Sequence, residues 1–277
     1  MNEAVAVHHM PGASFPVRHM NFAHSGLQAG ITRNALINNW LTTLSAMFPD
    51  GEMFFVHSVR HLRDKAKSEQ LKKDISAFIG QEAMHAREHA SLNRSLTELG
   101  YSTAGVTAHV AWLMDKLKHF LSPLQCLALT SAAEHFTAIL AKQLMAHEDM
   151  QAVFASDEAR RIWLWHAIEE SEHKAIAMNL YRDAGGGQFL RLVAYIPTSI
   201  YMAALMSAGT VWLSTRDPRS HSTQQAREAF HLLLGRNGFI SGLWRDYLDY
   251  FRLDFHPDDH DTAALEAETY QKLGLDQ

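Results

Sequence analysis

The chain has 277 residues, 47% of them hydrophobic, and carries a net charge of −5 with histidine neutral. That length supports one large domain with a real core or two smaller ones, and an acidic balance without a long basic block excludes nucleic acid as a partner. Cys126 is the only cysteine, which rules out an internal disulfide framework, a thiolate zinc site and an iron–sulfur cluster, and fits a reducing, cytoplasmic setting.

Residues 1–30 lack the basic start and apolar core of a signal peptide and read as an irregular arm. The pattern that follows is helical almost throughout: prolines are few, glycines sit at element ends, and strand-type alternation is absent. A first helical region spans about 32–66, with a break expected near Phe48-Pro49-Asp50-Gly51. A second starts after the N-cap Ser68 and stops at Gly100. A shorter helix covers about 105–120. Ser122, Pro123 and Gln125 form a capping box that opens a helix reaching about His147. The next begins at Ser156-Asp157-Glu158, with acids at the favourable dipole end, and ends at the glycines of 185–187. Further helices are expected near 223–234 and 238–253. The predicted organisation is a single all-α domain over 31–255, with a ligand bundle in 31–185, extra helices in 188–255 and a tail over 256–277.

Residues 192–215 carry no charge, match a bilayer span in length and are flanked by Arg191 and Arg216. Membrane association is one reading. Pro197, Thr198, Ser199, Ser207 and Gly209 dilute the hydrophobicity, so a buried or substrate-lining helix is the expectation.

The stretch WLWHAIEESEHKAI, residues 163–176, places two histidines and three glutamates among apolar neighbours. At 100° per residue, His166, Glu170 and His173 form one stripe. Glu170-Ser-Glu-His173 is a Glu-x-x-His pair, and Glu82-Ala-Met-His85 repeats it, with His89 on the same face. Glu52 and Glu134 stand alone in apolar helical surroundings. The order is therefore Glu, Glu-x-x-His, Glu, Glu-x-x-His on four long helices. Four buried carboxylates repel one another and desolvate at several kcal/mol each unless cations compensate. A Glu from each of two helices plus Glu-x-x-His from each of the other two is the ligand set of di-iron and di-manganese four-helix bundles. The predicted ligands are Glu52, Glu82, His85, Glu134, Glu170 and His173, around two metal ions, with iron or manganese suited to the hard oxygen set; His166, on the same stripe, is an extra ligand or an orienting partner, with direct ligation favoured. His89 and Glu169 are each an extra ligand or an orienting partner. Glu88 and Glu172 are expected on solvated faces, and His57, His61 and His135 off the ligand stripes.

FPDGEMFFVHSVR, FIGQEAMHAREH, AAEHFTA, WHAIEESEHKA and YFRLDFHPDD resemble a bacterial ferritin-like family labelled "predicted metal-dependent hydrolase", over about residues 25–260. The His-x-x-x-Glu-x-x-His of 166–173 is also similar to the last ligand helix of the di-iron arylamine N-oxygenases. That second resemblance implies an oxygen-activating di-iron site with His166 as a third histidine ligand.

The leading expectation is an oxidoreductase that uses O2 as co-substrate, takes electrons from an external donor and acts on a small apolar or amphipathic organic molecule. The alternative is a hydrolase that activates a water between two metals. The third is a non-catalytic iron-binding bundle. A homo-oligomer is expected.

Overall fold

The structure, a computed structural model, describes residues 6–24, 26–27 and 30–275. Two short strands, β1 (Ala6–His8) and β2 (Val17–His19), pair antiparallel with Ala6 opposite His19 and His8 opposite Val17. Eleven α-helices follow among the described residues. The first three are α1 (Ala35–Leu62), α2 (Glu69–Glu98) and α3 (Ala104–Phe120). Then come α4 (Pro123–Ala146), α5 (Glu148–Ala152), α6 (Asp157–His173) and α7 (Ile176–Asp183). The last four are α8 (Gln188–Ser214), α9 (Thr223–Leu234), α10 (Trp244–Asp249) and α11 (Ala263–Leu273).

The fold is all-α, and α1, α2, α4 and α6 make its four-helix bundle, with α1 packed along α2 and α4 along α6. Each of these helices starts on a side-chain cap that satisfies otherwise orphaned N–H groups: Asn34, Ser68, Ser122 in its box with Gln125, and Ser156. Two apolar cores fill the bundle. One gathers Leu41, Leu92, Leu144 and Trp165, the other Phe54, Phe78, Leu127 and Leu180. On α1, α2 and α4, Glu52, Glu82, His85, His89 and Glu134 lie between the residues of one core and those of the other; α6 carries only first-core residues, with His166 among them, and Glu170 and His173 fall between Ile168 and the second core's Ile176 on α7. The polar layer is thus sealed at both ends by hydrocarbon.

Several local expectations need correction. The helix expected to break at Pro49 is continuous from Ala35 to Leu62. Proline cannot donate to the Ser45 carbonyl four residues back, but Asn93 Nδ2 on α2 donates to that oxygen at 3.0 Å, so the helix loses a bond without orphaning the acceptor. The stretch beginning at Asp157 divides into α6 and α7 at Lys174-Ala175, where no Gly or Pro marks the turn. Lys174 donates there to the His260 carbonyl and to Thr262. The region read as 238–253 is only partly helical, as a short 3-10 turn and α10. The stretch read as an irregular arm carries the β1–β2 hairpin, and the stretch read as a tail carries α11.

The apolar stretch 192–215 lies in α8, which packs across α1 and α4. Both α4 and α8 are long and apolar enough to cross a membrane by length and composition; α4 has 67% of its apolar window buried, α8 only 22%. Of the expected buried or substrate-lining helix, the burial is therefore corrected, while Pro197, Thr198, Tyr201 and Met202 do line a cavity. One face meets the bundle, and the other exposes Phe189, Val193, Ile196, Ile200, Val211 and Trp212.

Candidate metal centre

The bundle brings the six predicted ligands and His166 into one layer, and each is at most 4% exposed. Ligand-capable atoms of Glu52, His85, His166 and Glu170 lie within 4.8 Å of one another, and so do those of Glu82, Glu170 and His173. Glu170 belongs to both groups. Glu134 joins the second through Oε2, 3.4 Å from His173 Nε2, while Glu82 Oε1 lies 3.1 Å from the same nitrogen.

The inward atoms have no conventional hydrogen-bond partners. Both carboxylate oxygens of Glu52, Glu82 and Glu134, Glu170 Oε2, His85 Nδ1 and His173 Nε2 are buried and unbonded. Buried polar atoms are almost always paired, and nine of the eighteen buried side-chain atoms without a partner among the described residues belong to these six predicted ligands. Hard carboxylate oxygens with imidazole nitrogens fit divalent cations of the iron and manganese class. The residues therefore fit two metal ions.

The outward nitrogens are fixed, and this sets which ring nitrogen faces the layer. His85 Nε2 lies 3.0 Å from Glu169 Oε2, so it carries the proton and leaves Nδ1 inward. His173 Nδ1 donates to Gln81 Oε1 at 2.9 Å, and the Gln81 amide nitrogen donates to Glu172 and to the Pro16 carbonyl. His166 is held by a longer series. Asn93 uses its amide nitrogen on the Ser45 carbonyl, so its oxygen accepts from Ser45 Oγ at 2.8 Å. Ser45 Oγ then accepts from His89 Nδ1 at 2.9 Å, and His89 Nε2 accepts from His166 Nδ1 at 2.8 Å. His166 Nε2 thereby faces the layer, in hydrogen-bond contact with Glu170 Oε1 at 2.9 Å and 3.7 Å from Glu52 Oε1.

Both nitrogens of His89 are engaged outside the layer, and both oxygens of Glu169 are too, one by His85 and one by Arg18 at 3.1 Å. Of the two readings for each, the geometry matches the orienting partner. His135 is buried off the layer, its Nε2 on the Asp246 carbonyl, and His57 and His61 are exposed. Glu88 and Glu172, expected on solvated faces, are not there. Glu88 is 3% exposed and accepts from the Phe22 backbone N–H and from Arg87. Glu172 receives two hydrogen bonds from Arg18, at 2.9 and 2.7 Å, and a close one from the Tyr270 hydroxyl.

Arg18, Gln81, Ser45 and Asn93 escaped the sequence reading. Arg18 is fully buried and arrives on β2, which crosses α2 at Gly80. A Cβ on Gly80 would meet Val17 Cγ2 at 2.6 Å, so glycine is what admits the strand. The one legible signal was Gln81 beside Glu82, a polar residue on the apolar flank of the ligand stripe.

Electrostatics follow from burial. Desolvation raises Glu52, Glu82 and Glu134 well above the usual carboxylate range, with repulsion from neighbouring carboxylates adding to it. Burial would depress His85, but the Glu169 and Glu170 carboxylates outweigh it and lift the imidazole to about 10. Glu170 goes the other way, against its own desolvation, because His173, His166 and His85 surround it. Burial and the neighbouring imidazoles push His89 well below its ordinary value, and they bring His166 to about 4. Without metal, protons provide the positive charge that the carboxylates require.

Beside the layer, α1, α3, α4 and α8 enclose a cavity of ≈ 290 Å³ whose wall is almost entirely hydrocarbon, and Glu52 is the one predicted ligand that lines it.

The family described as "Predicted metal-dependent hydrolase" matches residues 16–261. No curated protein and no solved structure matches the chain. The family match corrects the leading expectation: the oxygen-activating oxidoreductase, with its O2 co-substrate and external electron donor, gives way to the hydrolytic alternative.

Proposed function

The chain belongs to the predicted metal-dependent hydrolase family, and on that premise we propose that it hydrolyses a carboxylic ester at a dinuclear metal centre in a ferritin-like bundle. Glu52, Glu82, His85, Glu134, His166, Glu170 and His173 would hold two divalent cations, iron or manganese by their donor set. Glu170 belongs to both groups of ligand-capable atoms. The observation that carries this reading is the set of nine buried ligand atoms without hydrogen-bond partners.

Bound there, the cations supply Lewis acidity to a water molecule and to the carbonyl oxygen of the ester. The protein supplies the rest. Glu169, His89 and Gln81 hold the three imidazoles in register, so the site needs no rearrangement to receive charge. Glu52 stands where the cavity meets the layer, and the oxygen it does not give to a cation is the acceptor for the proton lost by the attacking water. The water oxygen bonds to the acyl carbon, the bond from that carbon to the alkoxy oxygen breaks, and the proton passes to the departing alkoxide. No electrons are exchanged. An ester is favoured over a phosphate ester because no Lys or Arg among the described residues lines the cavity, and a phosphate calls for cationic or N–H donors.

The test is ester cleavage by the purified protein under argon, before and after removal of metal by a chelator and after its return. Cleavage that needs metal and proceeds without oxygen supports the proposal. Equal rates with metal fully removed sink it.

A further inference from the structure

We propose that the cavity between α3 and α8 is the binding site for the aliphatic acyl chain of the ester, which makes the substrate a medium-chain fatty ester. This rests on the hydrolytic reading for its reaction but on separate atoms for its argument.

The cavity of ≈ 290 Å³ is close to the lower end of the range of about 300–1,000 Å³ usual for small-molecule sites. Leu44, Leu113, Leu117, Leu129, Met114 and Met202 form much of its wall. Phe48, Phe54 and Phe55 line it as well, and the flexible leucine and methionine side chains among them adapt to an alkyl chain. The threonines that line it turn their hydroxyls away from a ligand: Thr137 Oγ1 donates to the Glu134 carbonyl at 3.0 Å, and Thr198 Oγ1 to the Ala194 carbonyl at 2.8 Å. They present methyl groups instead.

Two polar side chains of the lining break this pattern, and both bear buried atoms with no partner: Glu52 and the hydroxyl of Tyr201. The Tyr201 ring stacks with His109 at 6.0 Å, which holds it on the wall, and burial pushes its phenol up to about 12, so it stays a donor. An unmet donor on an apolar wall calls for an acceptor on the ligand. An ester oxygen meets that demand and an unadorned hydrocarbon does not. The outer faces of the same two helices expose Trp112, Ile196 and Ile200, so an alkyl chain finds apolar surface before it enters.

The experiment uses the full chain as purified and a series of 2-alkanones, which carry the carbonyl acceptor and cannot be hydrolysed. Calorimetric affinity should tighten roughly fourfold per added methylene from 2-butanone towards 2-decanone. Leu113→Trp, which fills the void, should weaken 2-decanone at least tenfold. Tyr201→Phe removes only an unpaired hydroxyl, so it keeps its melting temperature while weakening the ketones about two- to tenfold at every length. Affinity indifferent to chain length, or undiminished in both variants, overturns the proposal. The two readings fail separately. Chain-length-dependent ketone binding by a protein that cleaves no ester with metal present leaves the cavity's ligand class standing and removes the hydrolysis. Ester cleavage indifferent to acyl length does the reverse.

Discussion

Asn93 on α2 completes the hydrogen bonding that Pro49 denies to α1. Its amide nitrogen occupies the Ser45 carbonyl at 3.0 Å, and its oxygen receives the Ser45 hydroxyl at 2.8 Å. The repair of the helix and the orientation of the metal layer therefore share one residue, since that hydroxyl also holds His89 and, through it, His166.

Asn93→Ala should cost about 1–3 kcal/mol of stability in urea unfolding, because the Ser45 carbonyl is left buried and unmet. Pro49→Ala restores an N–H to that carbonyl, so the double variant should recover much of the loss. Additive costs in the double-mutant cycle would show that the two residues do not act on the same oxygen.

Arg18→Met should strip the cation from Glu169 and Glu172, which it bonds at 3.1, 2.9 and 2.7 Å. Breaking such a buried pair costs about 3–5 kcal/mol. Glu169 then fixes His85 less firmly, and metal affinity should fall about 10–100-fold by equilibrium dialysis with Mn2+. Unchanged affinity in a folded variant would falsify the link from β2 to the metal layer.

Glu82→Ala and Glu170→Ala should each abolish stoichiometric metal by elemental analysis. His89→Phe, by contrast, should retain metal and weaken its hold, since His89 reaches the layer only through His166. If His89→Phe empties the site as completely as Glu170→Ala does, His89 is itself a ligand.

The pH response of the metal-free protein follows from the displaced groups. Glu52, Glu82 and Glu134 are raised above the ordinary 4.5, and His85 from 6.5 to about 10. All four bind protons more tightly folded than unfolded. Their stabilising share is complete below those unfolded values and is lost as pH rises through the folded ones. Glu170 is lowered, so its share is lost at the acid end instead. His89 and His166, lowered from 6.5, act in the opposite sense and add stability as pH rises through that value, so the chelated protein should melt at falling temperatures only from about pH 7 to about pH 10, and the metal-loaded protein should resist the fall. Because metal displaces those protons, its affinity should rise with pH over the same interval. A chelated protein that gains stability with alkali would contradict the proton-for-metal exchange.

The helices of the bundle were legible because their signals are local. Ser68, Ser122 with Gln125, and Ser156 announce helix starts within one turn, and the Glu-x-x-His pairs announce a shared face through 3.6-residue periodicity alone. What was not legible depends on distant partners. Nothing near Pro49 indicates that Asn93 will satisfy Ser45. Glu172 follows Glu170 at a spacing that normally faces solvent, and it is covered only because Arg18 arrives from another part of the chain. The exposure of α8 is equally silent in its own composition, since α4, of comparable length and also apolar, lies in the core. The hairpin strands are three residues each, too short for alternation to be read.

The reach of Arg18 also sets a timetable. Its partners Glu169, Glu172 and Tyr270 lie 151, 154 and 252 residues further along the chain. During synthesis β2 leaves the ribosome early and must wait, its guanidinium hydrated and its strand unpacked, until α6 and then α11 have emerged. Contacts of such sequence separation form slowly and late. The outward clamp on His85 is therefore one of the last parts of the molecule to be fastened, and a nascent chain interrupted before α11 would carry every predicted metal ligand without the complete arrangement that holds them in place.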